Sequence, residues 1–385
     1  MHRNTYVEIN LENLKYNIQT ILNKYDQFKY YIGVVKGNAY GHGFGIIPTL
    51  IENGINFLAV SNLDEALEIR KINNTVKIMC LEPIPIKYLD ICEKNNISIS
   101  LTDYNYFEKF KDTKLRLNIH LKIDSGMNRL GFNNKDEIKN VYDFISKSKN
   151  IHLEGIFTHF ATTGVYDKNY DNQLKTFEQL TNNIDLKKID VIHIDKSGTM
   201  EAHEKVSYVN GVRLGIIMFG FNSVPKYKNT FKDKLRKLKW QELRKKEHIS
   251  EPILDGGPSL KQTFSLVTSI LEIKKVKANS YIGYGTSLFT NKDILIAVLD
   301  IGYADGISRK RRGSNVEINN KLYPIIADIC MGMTIIQIDE AVKLDDKVLL
   351  IGNKVGVIPV SNHLQTTVYE TMSMIDSGIE RRYKN

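Results

Sequence analysis

The 385-residue sequence is short of the features that staple a chain or carry it across a membrane. It has only three cysteines, Cys80, Cys92 and Cys330, an odd number without metal-ligand spacing, so neither a disulfide framework nor a cysteine metal centre organises it. A reducing, cytoplasmic compartment is the expectation, with no metal. No uninterrupted apolar run approaches membrane-spanning length, and the opening MHRNTYVEINLENLKYNI has no apolar signal-like core, so neither insertion nor secretion is expected. Internal repeats and long low-complexity tracts are also missing. What remains, 42% hydrophobic and 25% charged residues, is ordinary for a globular chain long enough for two domains.

The net charge of +9 is local, because residues 226–246 hold ten Lys or Arg against Asp233 and Glu242 and leave the rest near neutral. A nucleic-acid face spread over the protein is therefore not expected. Within that segment Phe231, Leu235, Leu238 and Leu243 recur at roughly helical spacing. The favoured reading is a solvated insertion that packs one apolar stripe, and the alternative is a basic amphipathic helix meeting a membrane surface or a partner.

Residues 30–43, YYIGVVKGNAYGHG, form the stretch around which the chain is organised. An aromatic and β-branched run reads as a strand buried on both faces, and it ends in Lys36 and a glycine-rich turn. A lysine desolvated at the rim of an apolar barrel can act as a free amine, the form that condenses with an aldehyde. A snorkelling lysine is the plain alternative.

Eight apolar runs alternate with helical stretches: 31–36, 56–60, 76–81, 97–101, 116–123, 152–157, 190–194 and 211–214. Mostly short and apolar runs with little alternation, in that rhythm, predict a (β/α)8 barrel, whose chemistry sits at the carboxyl ends of the strands and whose phosphate sites follow strands seven and eight. Lys36, Lys122, His159, Ser197, Arg213, Gly215 and Ile216 all fall at such ends. From Gln262 the texture turns β-rich. The expected organisation is a barrel over 12–225, a basic insertion or linker over 226–261, and a mostly β domain over 262–385 joined by the N-terminal strand at 1–11.

Together with the lysine motif, the segments DSGMNRLGF, GVRLGIIMFG, IGYGTSLF and GYADG, in that order, resemble the alanine racemase family of fold type III pyridoxal-phosphate enzymes. The resemblance implies that Lys36 holds the cofactor aldehyde and that Tyr40, Ser197, Gly215, Ile216 and Tyr369 surround its phosphate. Arg129 contacts its phenolic oxygen and, with Met331, the substrate carboxylate; Arg213 faces the pyridine nitrogen, with His193 behind it. Lys36 and Tyr284 are the implied bases on opposite faces of Cα, Tyr284 coming from the partner of a homodimer. His159, backed by Arg129, is the implied tuner of Tyr284, while Tyr303 and Arg309 line the substrate approach and Lys122 matches a position carboxylated in some members. The implied activity is interconversion of L- and D-alanine for cell-wall precursors.

There are departures. Gly37 stands where alanine is common, Lys196 replaces asparagine, and Gly332 replaces the acid of a Cys-Met-Asp stretch. Alternatives are a racemase of serine or another amino acid, a basic-amino-acid decarboxylase on the same barrel, and a non-catalytic pyridoxal-phosphate carrier, which would need neither a second domain nor Tyr284.

Overall fold

A computed structural model describes residues 3–224, 230–247, 249, 251–286 and 288–385. They fold into two compact units, one of residues 14–36 and 47–261, the other of residues 1–13, 37–46 and 262–385.

The first unit is built on parallel strands whose residues are almost all buried, as covered faces require. In chain order they are Tyr30–Val34, Phe57–Val60, Lys77–Cys80, Ile97–Leu101, Leu117–Lys122, Ile151–Phe157, a seventh in two pieces, Val191–Ile192 and Asp195–Lys196, and Gly211–Leu214. The sheet order begins with one piece of the seventh strand and ends with the other, so the eight strands close into the expected (β/α)8 barrel. The seventh strand is split at His193 and Ile194 because their carbonyls accept N–H groups of Arg213 rather than a neighbouring strand's. Crossover helices start where the side chains of Asn62 and Asn134 cap Leu63–Ile72 and Lys135–Ile145.

The same unit carries the helix Phe231–Glu247. Of its expected apolar stripe only Leu243 is half-buried: Phe231, Leu235 and Leu238 are exposed, and Arg244 is buried.

The second unit is mostly β. A six-stranded sheet runs Lys321–Pro324, Asn315–Ile318, Val348–Ile351, Phe264–Thr268, Tyr6–Asn10, Glu380–Lys384 in spatial order. Tyr6–Asn10 lies antiparallel to Phe264–Thr268 and parallel to Glu380–Lys384. A three-stranded sheet of Ile270–Val276, Ile294–Leu299 and Thr334–Ile338, the hairpin Ser280–Ile282 with Leu288–Thr290, and helices Val357–Leu364 and Val368–Ser373 accompany it.

Candidate active site

Lys36 is separated from the first barrel strand by Val35 alone and is half-buried. Beyond it Gly37, Asn38, Ala39 and Tyr40 take φ values of 63°, 52°, 52° and 54°, a full left-handed turn. Such a conformation costs about 1–2 kcal/mol at each residue bearing a side chain, so something must hold it. Backbone bonds from Gly41 to Gly37 (3.0 Å) and from Gly43 to Asn38 (2.9 Å) do so, together with the buried imidazole of His42. His42 donates from Nδ1 to the Ala39 carbonyl at 3.0 Å, leaving Nε2 to accept from Thr263 at 2.8 Å, and burial lowers its pKa to about 3.

At the carboxyl ends of the barrel strands the fields of several cations act on one another. Lys122 is 5% exposed and is pushed down to about 8 by burial, then by Arg129, Arg213 and Lys36, with Asp124 opposing. Lys196 is lowered to about 8 by burial, Arg213 and Arg129, and its Nζ donates to the Phe160 carbonyl at 2.8 Å. Arg129 is exposed on a loop gathered by the Asp124 carboxylate, which accepts the backbone N–H groups of Gly126, Met127, Asn128 and Arg129 at 2.9–3.1 Å.

Arg213 is buried among acceptors. Its Nη1 donates to His193 Nδ1 at 2.9 Å, and its Nη2 to the carbonyls of Thr158 (2.7 Å) and Ile194 (3.1 Å). Burial lowers it only to about 10, so it stays charged at neutral pH. His159 Nδ1 lies 3.4 Å from Arg213 Nη2, so the guanidinium in contact with His159 is Arg213 rather than the expected Arg129. Burial and the surrounding cations hold His159 well below the usual imidazole range, hence neutral. With Nδ1 facing a guanidinium donor, its proton sits on Nε2.

A chain of hydrogen bonds continues through the barrel from Arg213. His193 Nε2 lies 2.9 Å from His120 Nδ1, His120 Nε2 3.1 Å from Glu154 Oε2, and Glu154 accepts from Lys77 at 2.6 Å and Ser98 at 2.5 Å. Arginine only donates and carboxylate only accepts, so each histidine must accept at Nδ1 and donate from Nε2. Gly155 makes room for this relay, since a Cβ there would lie 2.2 Å from His120 Nδ1. His120, Glu154, Asp124 and His42 were not among the expected site residues. Their signal was weak: single polar residues inside apolar runs or next to a motif.

Ser197 and Gly215 are joined by a bond from the Gly215 N–H to Ser197 Oγ, 3.1 Å. The helix Ser197–Ala202 starts at Ser197, and the short 3-10 turn Ile216–Phe219 starts at Ile216, so both begin beside this bond. First-turn N–H groups have no partner within their own helix, which suits them to phosphate oxygens. A strand-end amine, several mutually lowered cations and these N–H groups fit an aldehyde-bearing, phosphorylated cofactor.

The remaining expected residues lie in the second unit. The Tyr40 and Tyr369 rings are 5.8 Å apart, and burial with Tyr369 beside it pushes the Tyr40 phenol up, so Tyr40 remains a hydroxyl donor. Tyr284 is 69% exposed on the turn Tyr284–Thr286. Tyr303 donates its backbone N–H to the Cys330 carbonyl at 3.0 Å, and Ala304 donates to Met331 at 2.9 Å, so the GYADG segment and the Met331 loop are tied together. Arg309 pairs with Asp328 at 3.5 Å. A Cβ on Gly332 would meet nothing within 4 Å, so the missing acid leaves open space.

Residues 9–223 match the family model for the alanine racemase N-terminal domain, and residues 263–383 that for the alanine racemase C-terminal domain. The chain is 33% identical over 398 residues to alanine racemase of Clostridium tetani, covering 99% of this chain and 95% of that protein. It is 35% identical over 400 residues to alanine racemase 1 of Clostridium acetobutylicum, with the same coverage. The solved alanine racemase from E. faecalis superposes with a TM-score of 0.86 at 26% identity, covering 100% of this chain and 99% of that one.

Proposed function

The chain belongs to the alanine racemase family, and on that premise we propose that it interconverts L- and D-alanine through two bases, Lys36 and Tyr284. The reading is carried by the strand-end Lys36 on its left-handed turn, in the same barrel as an arginine that is buried and backed by histidine. Pyridoxal phosphate, when bound, supplies an aldehyde that captures the substrate amine and a ring that takes up the electron pair left by the Cα proton. By the family resemblance Lys36 would hold the aldehyde carbon, and Tyr40, Tyr369, Ser197, Gly215 and Ile216 would be the residues for its phosphate.

Arg213, which at about 10 keeps its proton at neutral pH, would face the pyridine nitrogen as a donor that has no proton to give up, and so would restrain electron uptake by the ring and disfavour transamination. Arg129 and the Met331 backbone amide hold the substrate carboxylate. Lys36 takes or returns the Cα proton on one face and Tyr284 on the other, the roles exchanging with direction. A tyrosine needs a donor to ionise near neutrality, and His159 offers Nε2–H. Lys122, at about 8, has the neutral fraction that carboxylation requires.

Tyr284 is donated in trans, which makes the active protein a homodimer. Its place is the cytoplasm, where D-alanine enters peptidoglycan precursors; among the described residues no helix is long and apolar enough to cross a membrane. Serine is the second substrate to try.

The test is incubation of the purified holoenzyme with L-alanine in heavy water, followed by circular dichroism, Cα deuteration and cofactor absorbance. Loss of optical activity together with Cα deuteration is expected. Bound cofactor without exchange on alanine, serine or lysine would replace the racemase reading with a carrier.

A further inference from the structure

The helix Phe231–Glu247 lies between the two stretches that match the family, 9–223 and 263–383. At 100° per residue, Phe231, Leu235 and Leu238 fall within an arc of about 60°. They are 76%, 52% and 62% exposed. Lys232, Lys239 and Lys246 border this stripe on one side and Lys234 and Lys245 on the other, all exposed. The opposite side is clamped to the barrel loop after His159: the Arg236 guanidinium lies 3.8 Å over the Tyr166 ring, Arg244 donates to the carbonyls of Gly164 and Asp167, and Lys168 pairs with Glu247. A helix folded only to pack would bury its apolar stripe, whereas here Phe231, Leu235 and Leu238 are exposed while Arg244 is buried and Leu243 is half-buried.

We propose that the Phe231–Glu247 helix docks the protein reversibly onto the surface of anionic phospholipid bilayers, with Phe231, Leu235 and Leu238 in the acyl boundary and the flanking lysines on the headgroups. Charge complementarity selects this occupant. The helix carries eight Lys or Arg against Asp233, Glu242 and Glu247, while the chain outside residues 226–246 is near neutral. A narrow apolar stripe edged by lysines is what an interfacial helix presents to an anionic leaflet. A second copy of the same face would set lysine against lysine. A nucleic-acid backbone takes up the charge but gives the exposed Phe and Leu nothing to bury against. This takes up the alternative of a basic amphipathic helix at a membrane surface in place of the favoured solvated insertion.

The experiment is flotation of the holoenzyme with vesicles of phosphatidylcholine alone and of phosphatidylcholine mixed in equal parts with phosphatidylglycerol. Flotation with the anionic vesicles only is expected, weakening as salt rises. Leu235→Ser with Leu238→Ser should lower partitioning about tenfold or more, and Lys234→Glu with Lys239→Glu should abolish it, racemase activity in solution being unchanged in both. Trp240 is the only tryptophan, so Phe231→Trp in a Trp240→Phe background gives a local probe whose emission should shift to the blue on anionic vesicles. No flotation at low salt would overturn the proposal, as would equal flotation of the double serine variant. Self-association or binding of a DNA duplex through this face, without flotation, would overturn it in favour of a second copy or a nucleic acid.

Discussion

Burial and neighbouring cations both favour the neutral amine at Lys122, and only Asp124 opposes them. Its folded pKa of about 8 lies below the ordinary 10.5, so between those values the unfolded chain holds a proton that the folded chain has released. Stability contributed at this site is therefore lowest below pH 8 and rises with pH through the window, by about 1.4 kcal/mol per unit at most. Lys122→Met removes that dependence: its stability relative to the native protein should be highest near pH 7 and fall toward pH 10, read from urea midpoints across a pH series. At the proposed second base, Tyr284→Phe removes the phenol that would carry the proton while leaving the Lys36 amine in place. Deuterium exchange from L-alanine should fall about 10²- to 10⁴-fold, with cofactor capture unchanged by absorbance. Equal loss of both would indicate a folding or assembly defect instead.

The split seventh strand and the strands beside it form one device. Carbonyls freed at His193 and Ile194 seat Arg213, while His193, His120 and Glu154 run through the barrel to Lys77. Glu154 is held well below the usual carboxylate range despite burial, because His120, Lys77 and Ser98 all hydrogen-bond to it. Replacing it with leucine strands a lysine and two ordered histidines and should cost about 3–5 kcal/mol, whereas Gln, which keeps an acceptor, should cost about 1–3 kcal/mol. Urea unfolding separates the two variants. Histidine ¹⁵N shifts should show Nε2–H forms at His120 and His193 in the native protein, and Glu154→Leu should disturb them. This relay was not legible in the sequence, because each member comes from a different barrel strand and nothing local marks their meeting. Lys36 was legible because one strand and one turn contain the whole signal. The left-handed turn itself was not, since only tertiary bonds from His42 and its neighbours hold Ala39 and Tyr40 at positive φ.

For the whole molecule, the proposal that Tyr284 is supplied in trans has a definite consequence. Lys36→Ala and Tyr284→Phe should each be nearly inactive alone, yet mixing the two under subunit exchange creates hybrids with one intact site. Random pairing should restore roughly a quarter of the native sites. No recovery would place Tyr284 in its own chain's site. The periodic apolar runs determined the barrel by themselves, as a strand covered on both faces is mostly apolar and eight in succession close a sheet. Motif order likewise determined the family and the candidate bases. Only the folded chain decided which way the basic helix turns. Helical spacing defines a stripe but not its outward face, and that choice depends on distant residues, where Tyr166, Gly164 and Asp167 capture Arg236 and Arg244 and leave Phe231, Leu235 and Leu238 in the solvent.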